Sequence, residues 1–201
     1  MPDPKVVLDS EDMRRTLTRI AHEIVENGGD PEQLALVGIH RRGAVLAERQ
    51  VAIVGIHRRG AILAVRLHEL VADLLDADVP LGDLDIAFYR DDLGTRPQHP
   101  VVHASHLDFP LEDRTVVIVD DVLFTGRTVR AAIEALFDYG RPQRVQLAVL
   151  ADRGHRELPI RPDYVGKNLP TARSERVNVR VEELDGVDKV TITQPQEAPL
   201  A

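Results

Sequence analysis

The stretch VVIVDDVLFTGRT, residues 116–128, constrains the fold more than any other part of the chain. Four consecutive apolar residues have the length and composition of a strand buried on both faces. Two aspartates follow at once, and adjacent like charges need a ligand, a cation or hydrogen-bond donors to compensate them. Thr125, Gly126, Arg127 and Thr128 then lead into Val129, Ala132, Ile133, Leu136 and Phe137, which repeat at helical spacing up to Gly140 and Pro142. A buried strand passing through a glycine turn into a helix is the unit of an open parallel sheet. Ligands of such sheets sit at the carboxyl ends of the strands, where Asp120 and Asp121 fall.

The rest of the pattern extends that unit. Residues 11–27 read as a helix, capped by Ser10 and ended by Gly28 and Gly29, with Leu17, Ile20, Ala21, Ile24 and Val25 on its apolar face. LALVGI (34–39), VAIVGI (51–56), LDIAFY (84–89) and VQLAVL (145–150) read as strands, and residues 61–75 as a second amphipathic helix. Residues 91–113 keep no sustained period and form a long loop or flap. VNVRVEEL and KVTIT flank Asp185-Gly186 as a terminal hairpin, and residues 194–201 read as a tail. The expected architecture is α/β, a mainly parallel central sheet flanked by helices with a C-terminal β-hairpin, in one domain over residues 1–193.

Composition narrows the function classes. No apolar run approaches the ~20 residues of a membrane span, and the N-terminus lacks a signal-peptide core, so the cytoplasm is the expected location. With no cysteine, thiolate and disulfide chemistry are excluded. A net charge of −8 argues against a generally basic nucleic-acid binder while leaving room for a local basic patch.

The loop after the acids suits a phosphate. A helix N-terminus offers unpaired N–H groups and a positive dipole end, Gly126 lets the backbone approach, and the threonine hydroxyls add donors. The G-x-x-x-x-G-K spacing of a Walker loop is absent. Asp120 and Asp121 would accept hydrogen bonds from ribose hydroxyls or face a cation. The plain alternative is a strand, turn and helix in which Asp121 is an ordinary turn residue.

This stretch resembles the PRPP-binding signature of type I phosphoribosyltransferases. More of the chain is similar to one branch, the bifunctional pyrimidine operon regulator and uracil phosphoribosyltransferase family (PyrR). The carrying segments are MRRTLTRIAHEIVE, LDIAFYRDDL, VDDVLFTGRTVRAAIEAL, and the run from Gly140 to Glu175 with DRGHRELPIR and DYVGKN. Phe124 stands where that family more often has tyrosine. The resemblance implies transfer of ribose 5-phosphate from PRPP to uracil, giving UMP and pyrophosphate, with Mg²⁺ carried by PRPP and no metal ligands assigned. It places the ribose on Asp120 and Asp121, and the phosphate on Val122, Leu123, Phe124, Thr125, Gly126, Arg127 and Thr128. Arg59, with Arg58 and Gly60, falls on the pyrophosphate loop, and Arg90 at the mouth of the flap. Arg153 and Val165 fall at the uracil seat. No general base is assigned. His40, His57, His99, His103, His106 and His155 lack metal-ligand spacing.

The first helix carries a second candidate surface. Arg15, Thr18, Arg19 and His22 recur at i, i+3, i+4 and i+7 and form one polar face without an acid of its own. An ordinary solvated face is the plain reading. The resembling family uses this helix to bind a hairpin of pyrimidine-operon mRNA, together with basic residues that match Arg156, Arg161 and Lys167. Its dimers build the RNA surface, so an oligomer is expected. A phosphoribosyltransferase without RNA regulation is the alternative, and a nucleotide sensor without catalysis is a third reading that the complete acid pair and loop disfavour.

One feature is not inherited from any family. ALVGIHRRGAVLAER (35–49) recurs as AIVGIHRRGAILAVR (52–66), with twelve of fifteen positions identical at a shift of 17. The repeat is too short for a solenoid. It duplicates a strand end and the pyrophosphate loop, and one sheet has room for one such loop opposite the acids. The second copy runs into a complete amphipathic helix, which favours Arg58, Arg59 and Gly60. Arg41, Arg42 and Gly43 are the alternative.

Overall fold

A computed structural model of the chain describes residues 4–27, 51–56, 59–86, 89 and 105–194. The first repeat copy with Arg41, Arg42 and Gly43, together with Arg58, Arg90, the tail from 195 and most of the predicted flap, lies outside them.

Five strands form the central parallel sheet: β2 (Val51–Ile56), β3 (Leu81–Leu84), β4 (Thr115–Leu123), β5 (Arg144–Asp152) and β6 (Tyr164–Asn168), in the order β3-β2-β4-β5-β6. The slot beside β4 is thus held by the second repeat copy, paired from Val51 against Thr115 to Gly55 against Val119. All six β2 residues are buried, as an uninterrupted apolar run inside a two-sided sheet requires.

Side chains alternate between the faces. Ile53, Val117, Val119 and Leu150 join one core with helices α1 (Ser10–Asn27) and α2 (Arg59–Leu75), through Met13, Leu17, Ile20, Leu63 and Leu67. Ala52, Val54, Ile118 and Val149 join the other core under α3 (Arg127–Phe137), through Val129, Ala132 and Leu136. Beside the main sheet, β1 (Lys5–Leu8), β7 (Arg176–Arg180) and β8 (Lys189–Thr193) form an antiparallel sheet in the order β1-β8-β7, with the one-turn helix α4 (Glu182–Asp185) between β7 and β8. Among the described residues no helix is long and apolar enough to cross a membrane.

Several expectations are corrected. The strand expected at 84–89 is β3 and ends at Leu84, because its register follows β2 from Ile53 against Leu81 to Ile56 against Leu84. Asp83 and His106 exchange both backbone hydrogen bonds, 3.0 and 2.9 Å, on the outer edge, and residues 87–88 of the expected strand lie outside the described residues. Asp9, not Ser10, caps α1: its Oδ1 accepts the Asp12 N–H at 2.8 Å, and Asp12 Oδ2 accepts the Asp9 N–H at 3.4 Å, a reciprocal capping box. The terminal hairpin contains a helical turn and gains β1 as a third strand. The segment around DYVGKN, read as part of a base seat, is also the edge strand β6.

Two glycines set the approach of α2 to the sheet. A Cβ on Gly55 would lie 2.4 Å from Ala61 Cα, and one on Gly60 would lie 2.6 Å from the Val119 carbonyl oxygen and 3.3 Å from Asp120 Cα. The start of α2 therefore rests on β4 at the acid pair, and no larger residue fits at either position without moving backbone.

Candidate active site

Both acids lie within β4, which runs past the four apolar residues and the acids to Leu123. Asp120 is 7% exposed, and its Oδ1 accepts the Asp121 N–H at 2.9 Å. Asp121 Oδ1 accepts the Val122 N–H at 2.8 Å. Burial pushes the Asp121 carboxyl up, while the Val122 N–H, Asp120 and the Arg59 guanidinium oppose that shift. A carboxylate that has lost much of its water and gained few donors favours ligand hydroxyls and cations.

The chain then turns through Phe124, Thr125 and Gly126 into α3. Gly126 caps the helix at φ 93°, a left-handed conformation that glycine adopts without strain, and its carbonyl accepts the Arg130 N–H at 2.9 Å. The turn is fastened from outside. The Thr125 carbonyl accepts the N–H groups of Glu157 and Leu158 at 3.0 and 3.1 Å, and Arg127 Nε donates to Glu157 at 2.8 Å. Arg156 reaches beneath it, donating to the carbonyls of Phe124 at 2.8 Å and Ile160 at 3.0 Å and to the Asp152 carboxylate. Arg153 lays its guanidinium 4.2 Å from the Phe124 ring centroid and donates to the Ala172 carbonyl at 3.1 Å. His155 meets the same ring edge-on, its Nε2 2.6 Å from the Thr171 carbonyl oxygen.

Arg59 enters from α2. Its Nη2 donates to both Asp185 oxygens, at 3.0 and 3.1 Å, and its charge draws the Asp121 carboxyl down against burial. Asp120, Asp121, the 122–128 turn and Arg59 are therefore gathered at one end of β4. Val165 lies on β6, two strands away across β5. Among the described residues no three acids or histidines cluster as a metal cage. The two adjacent carboxylates suit a hard cation that arrives already bound to an anionic ligand.

The helix face is less bare than its sequence. Arg15 pairs with Asp12 at 2.9 Å and Arg19 with Glu23, so the acid-free reading is corrected: carboxylates one turn away reach both arginines. Arg19 Nη2 also donates to the Val165 and Gly166 carbonyls at 2.9 and 2.8 Å. Thr18 Oγ1 donates to the Arg14 carbonyl at 3.0 Å, and His22 is exposed. Lys167 Nζ donates to the Val7 carbonyl at 2.9 Å, and Arg161 is exposed. Sequence reasoning missed Asp185, Glu157 and Asp152 as partners of site arginines. Asp185 lies 126 positions from Arg59, and no local pattern signals that meeting.

Residues 47–185 match the family model described as phosphoribosyl transferase domain, a span that takes in the second repeat copy and not Arg41, Arg42 and Gly43. The chain is 54% identical over 191 residues to the "Bifunctional protein PyrR" of a Roseiflexus species, covering 94% of this chain and 95% of that one. It is 52% identical over 198 residues to that of Deinococcus radiodurans, covering 98% and 99%. It is 51% identical over 193 residues to that of Acetivibrio thermocellus, covering 96% of each. Among solved structures, a hypoxanthine phosphoribosyltransferase from Staphylococcus aureus superposes with a TM-score of 0.64 at 18% identity, covering 96% of this chain and 93% of that one, a likeness of fold.

Proposed function

The chain belongs to the bifunctional PyrR family of phosphoribosyltransferases, and we infer that it serves both roles of that family. It transfers ribose 5-phosphate from PRPP to uracil, giving UMP and pyrophosphate, and it regulates the pyrimidine biosynthetic operon by uridine-nucleotide-dependent binding to mRNA. The observation that carries the catalytic half is the acid pair at the end of β4, with a glycine-capped helix N-terminus on one side and Arg59 on the other.

The chemistry follows from these groups. Asp120 and Asp121 accept the ribose hydroxyls and face the positive character that develops on the ribose as the C1–O bond lengthens. The N–H groups at the start of α3 and the Thr125 and Thr128 hydroxyls take the 5′-phosphate. Arg59, with Arg58, meets the departing pyrophosphate, and Arg90 is the second candidate cation for it. Arg153 and Val165 bound the uracil pocket. Phosphoribosyltransferases generally use Mg²⁺ with PRPP, and the ion would neutralise the diphosphate leaving group while Asp120 and Asp121 supply carboxylates beside it. The chain works as a single domain over residues 1–193, in the cytoplasm, as a homodimer or larger homo-oligomer.

For the regulatory half, α1 presents Arg15, Thr18, Arg19 and His22, and Arg161 and Lys167 extend the basic surface, whereas the Arg156 guanidinium is engaged beneath the phosphate turn by Phe124, Ile160 and Asp152. One observation favours the second reading, a phosphoribosyltransferase without RNA regulation: Arg15 and Arg19 already have carboxylate partners on their own helix. Exposed pairs of this kind contribute about 0–1 kcal/mol and yield readily to phosphates. Gel-shift titration with the pyrimidine-operon leader hairpin, over a salt series with and without UMP, separates the readings. Arg15→Ala is expected to weaken binding and lower the salt slope by about one unit. Arg19→Ala should do the same, and it also frees the Val165 carbonyl, so its turnover should change where that of Arg15→Ala does not. Binding as tight as wild type in both variants would leave the enzyme-only reading.

A further inference from the structure

Two arginines of α2 reach the corner between β7 and β8, and they do so differently. Arg66 is saturated: Nε and Nη2 donate to Glu183 at 2.9 and 2.7 Å, and Nη1 and Nη2 donate to Asp188 at 2.9 and 2.8 Å. That fork braces the corner against the middle of α2. Arg59, two turns nearer the acid pair, touches the corner through Nη2 alone, shared between the two oxygens of Asp185. Its Nε is buried with no hydrogen-bond partner among the described residues. A half-satisfied guanidinium is a poor structural brace, since an unpaired buried donor costs stability that a fork would recover.

Asp185 is itself held in place. Its Oδ2 accepts the Val181 N–H at 3.0 Å, and its own N–H donates to the Val181 carbonyl at 2.7 Å. Gly186 follows at φ 68°, closing α4. The Val181 N–H first, and then Arg59, keep the Asp185 carboxyl below the usual carboxylate range, so it is ionised at neutral pH.

We propose that Asp185 is a positioning residue for PRPP binding: it holds the Arg59 guanidinium by Nη2 beside the acid pair, leaving the outer end of the guanidinium for the donor's diphosphate. The proposal rests on the assignment of Arg59 to the pyrophosphate loop. A long side chain fixed in advance loses less rotamer freedom when the anion arrives. The C-terminal corner thus serves the site from 126 positions away in sequence.

Asp185→Asn keeps an acceptor for the Val181 N–H and removes the charge that holds Arg59. The proposal expects KM for PRPP to rise on the order of 3- to 10-fold with kcat little changed, KM for uracil unmoved, and partial rescue in Asp185→Glu. Glu183→Gln, which weakens only the Arg66 brace, should lower Tm and leave KM for PRPP near wild type. Calorimetric titration with PRPP and Mg²⁺ reads the same contact without turnover, so a wrong acceptor assignment cannot mask the result. Arg59→Ala measured alongside tests the loop assignment separately. An unchanged KM and PRPP affinity in Asp185→Asn would overturn the proposal. So would a lower KM, which would make the contact a competitor of the donor, or an equal rise in Glu183→Gln, which would make the corner a general support.

Discussion

Asp121→Asn is expected to lower kcat/KM for PRPP by about 10²-fold or more, with the fold intact. The amide keeps the shape of the carboxyl, and its oxygen can still accept the Val122 N–H now bound at 2.8 Å. What disappears is the negative charge beside the developing ribose cation and beside any Mg²⁺ that PRPP carries. Burial raises the folded carboxyl above its unfolded value, so the folded state binds the proton more tightly and this group's contribution to stability falls as pH rises between the two values. Above that window the Asp121 carboxyl therefore costs stability, and the neutral amide should leave Tm unchanged or raise it. Initial rates over a range of PRPP together with a thermal melt check both halves. Wild-type turnover in the variant would remove Asp121 from the site.

The second large effect concerns the duplicated segment. Arg59→Ala should cripple turnover by about 10²-fold, while Arg42→Ala should leave it near wild type. The sheet gives the reason: the strand between β3 and β4 is Val51–Ile56, and the helix that follows it brings Gly60 within van der Waals contact of β4 at Asp120. Deleting residues 37–53 joins Leu36 to Val54 and replaces Val51, Ala52 and Ile53 by Leu34, Ala35 and Leu36. Ala52 is conserved by that exchange and Ile53 gives way to an isomer of equal volume, a swap that packed sheets tolerate. Only Leu34 for Val51 adds a methylene, at the start of the strand. The shortened chain should keep its activity and match or exceed wild-type stability, since the connection between α1 and β2 loses 17 residues. The reverse arginine pattern would give the loop to the first copy, and loss of activity in the deletion would show that both copies matter.

The features legible in the sequence were local ones. The acids, the turn and the helix start occupy thirteen consecutive residues, so their proximity needs no tertiary information. Apolar periodicity located α1, α2, α3, β2, β4 and β5, because each buries a face or a whole strand. The strands β1 and β6 escaped it. KVVL is four residues long at a sheet edge, and YVGKN is polar over half its length, as suits the edge strand that β6 forms among the described residues. The strand predicted at 84–89 failed because register, not apolar content, decides where pairing stops. The long-range contacts of site arginines were invisible for the same reason: Arg59 meets Asp185 and Arg19 meets Val165 across 126 and 146 positions. The family resemblance implies roles for residues and not these partners.

The proposed chemistry places PRPP on this acid pair and loop for transfer to uracil. The most direct measurement is product formation from PRPP and Mg²⁺ with uracil, adenine, guanine and orotate offered separately and in competition. The account predicts UMP and stoichiometric pyrophosphate from uracil, with the other three bases poor acceptors and the reaction lost on chelation of Mg²⁺. A preference for a purine or for orotate, or no nucleotide formed from uracil, would contradict it.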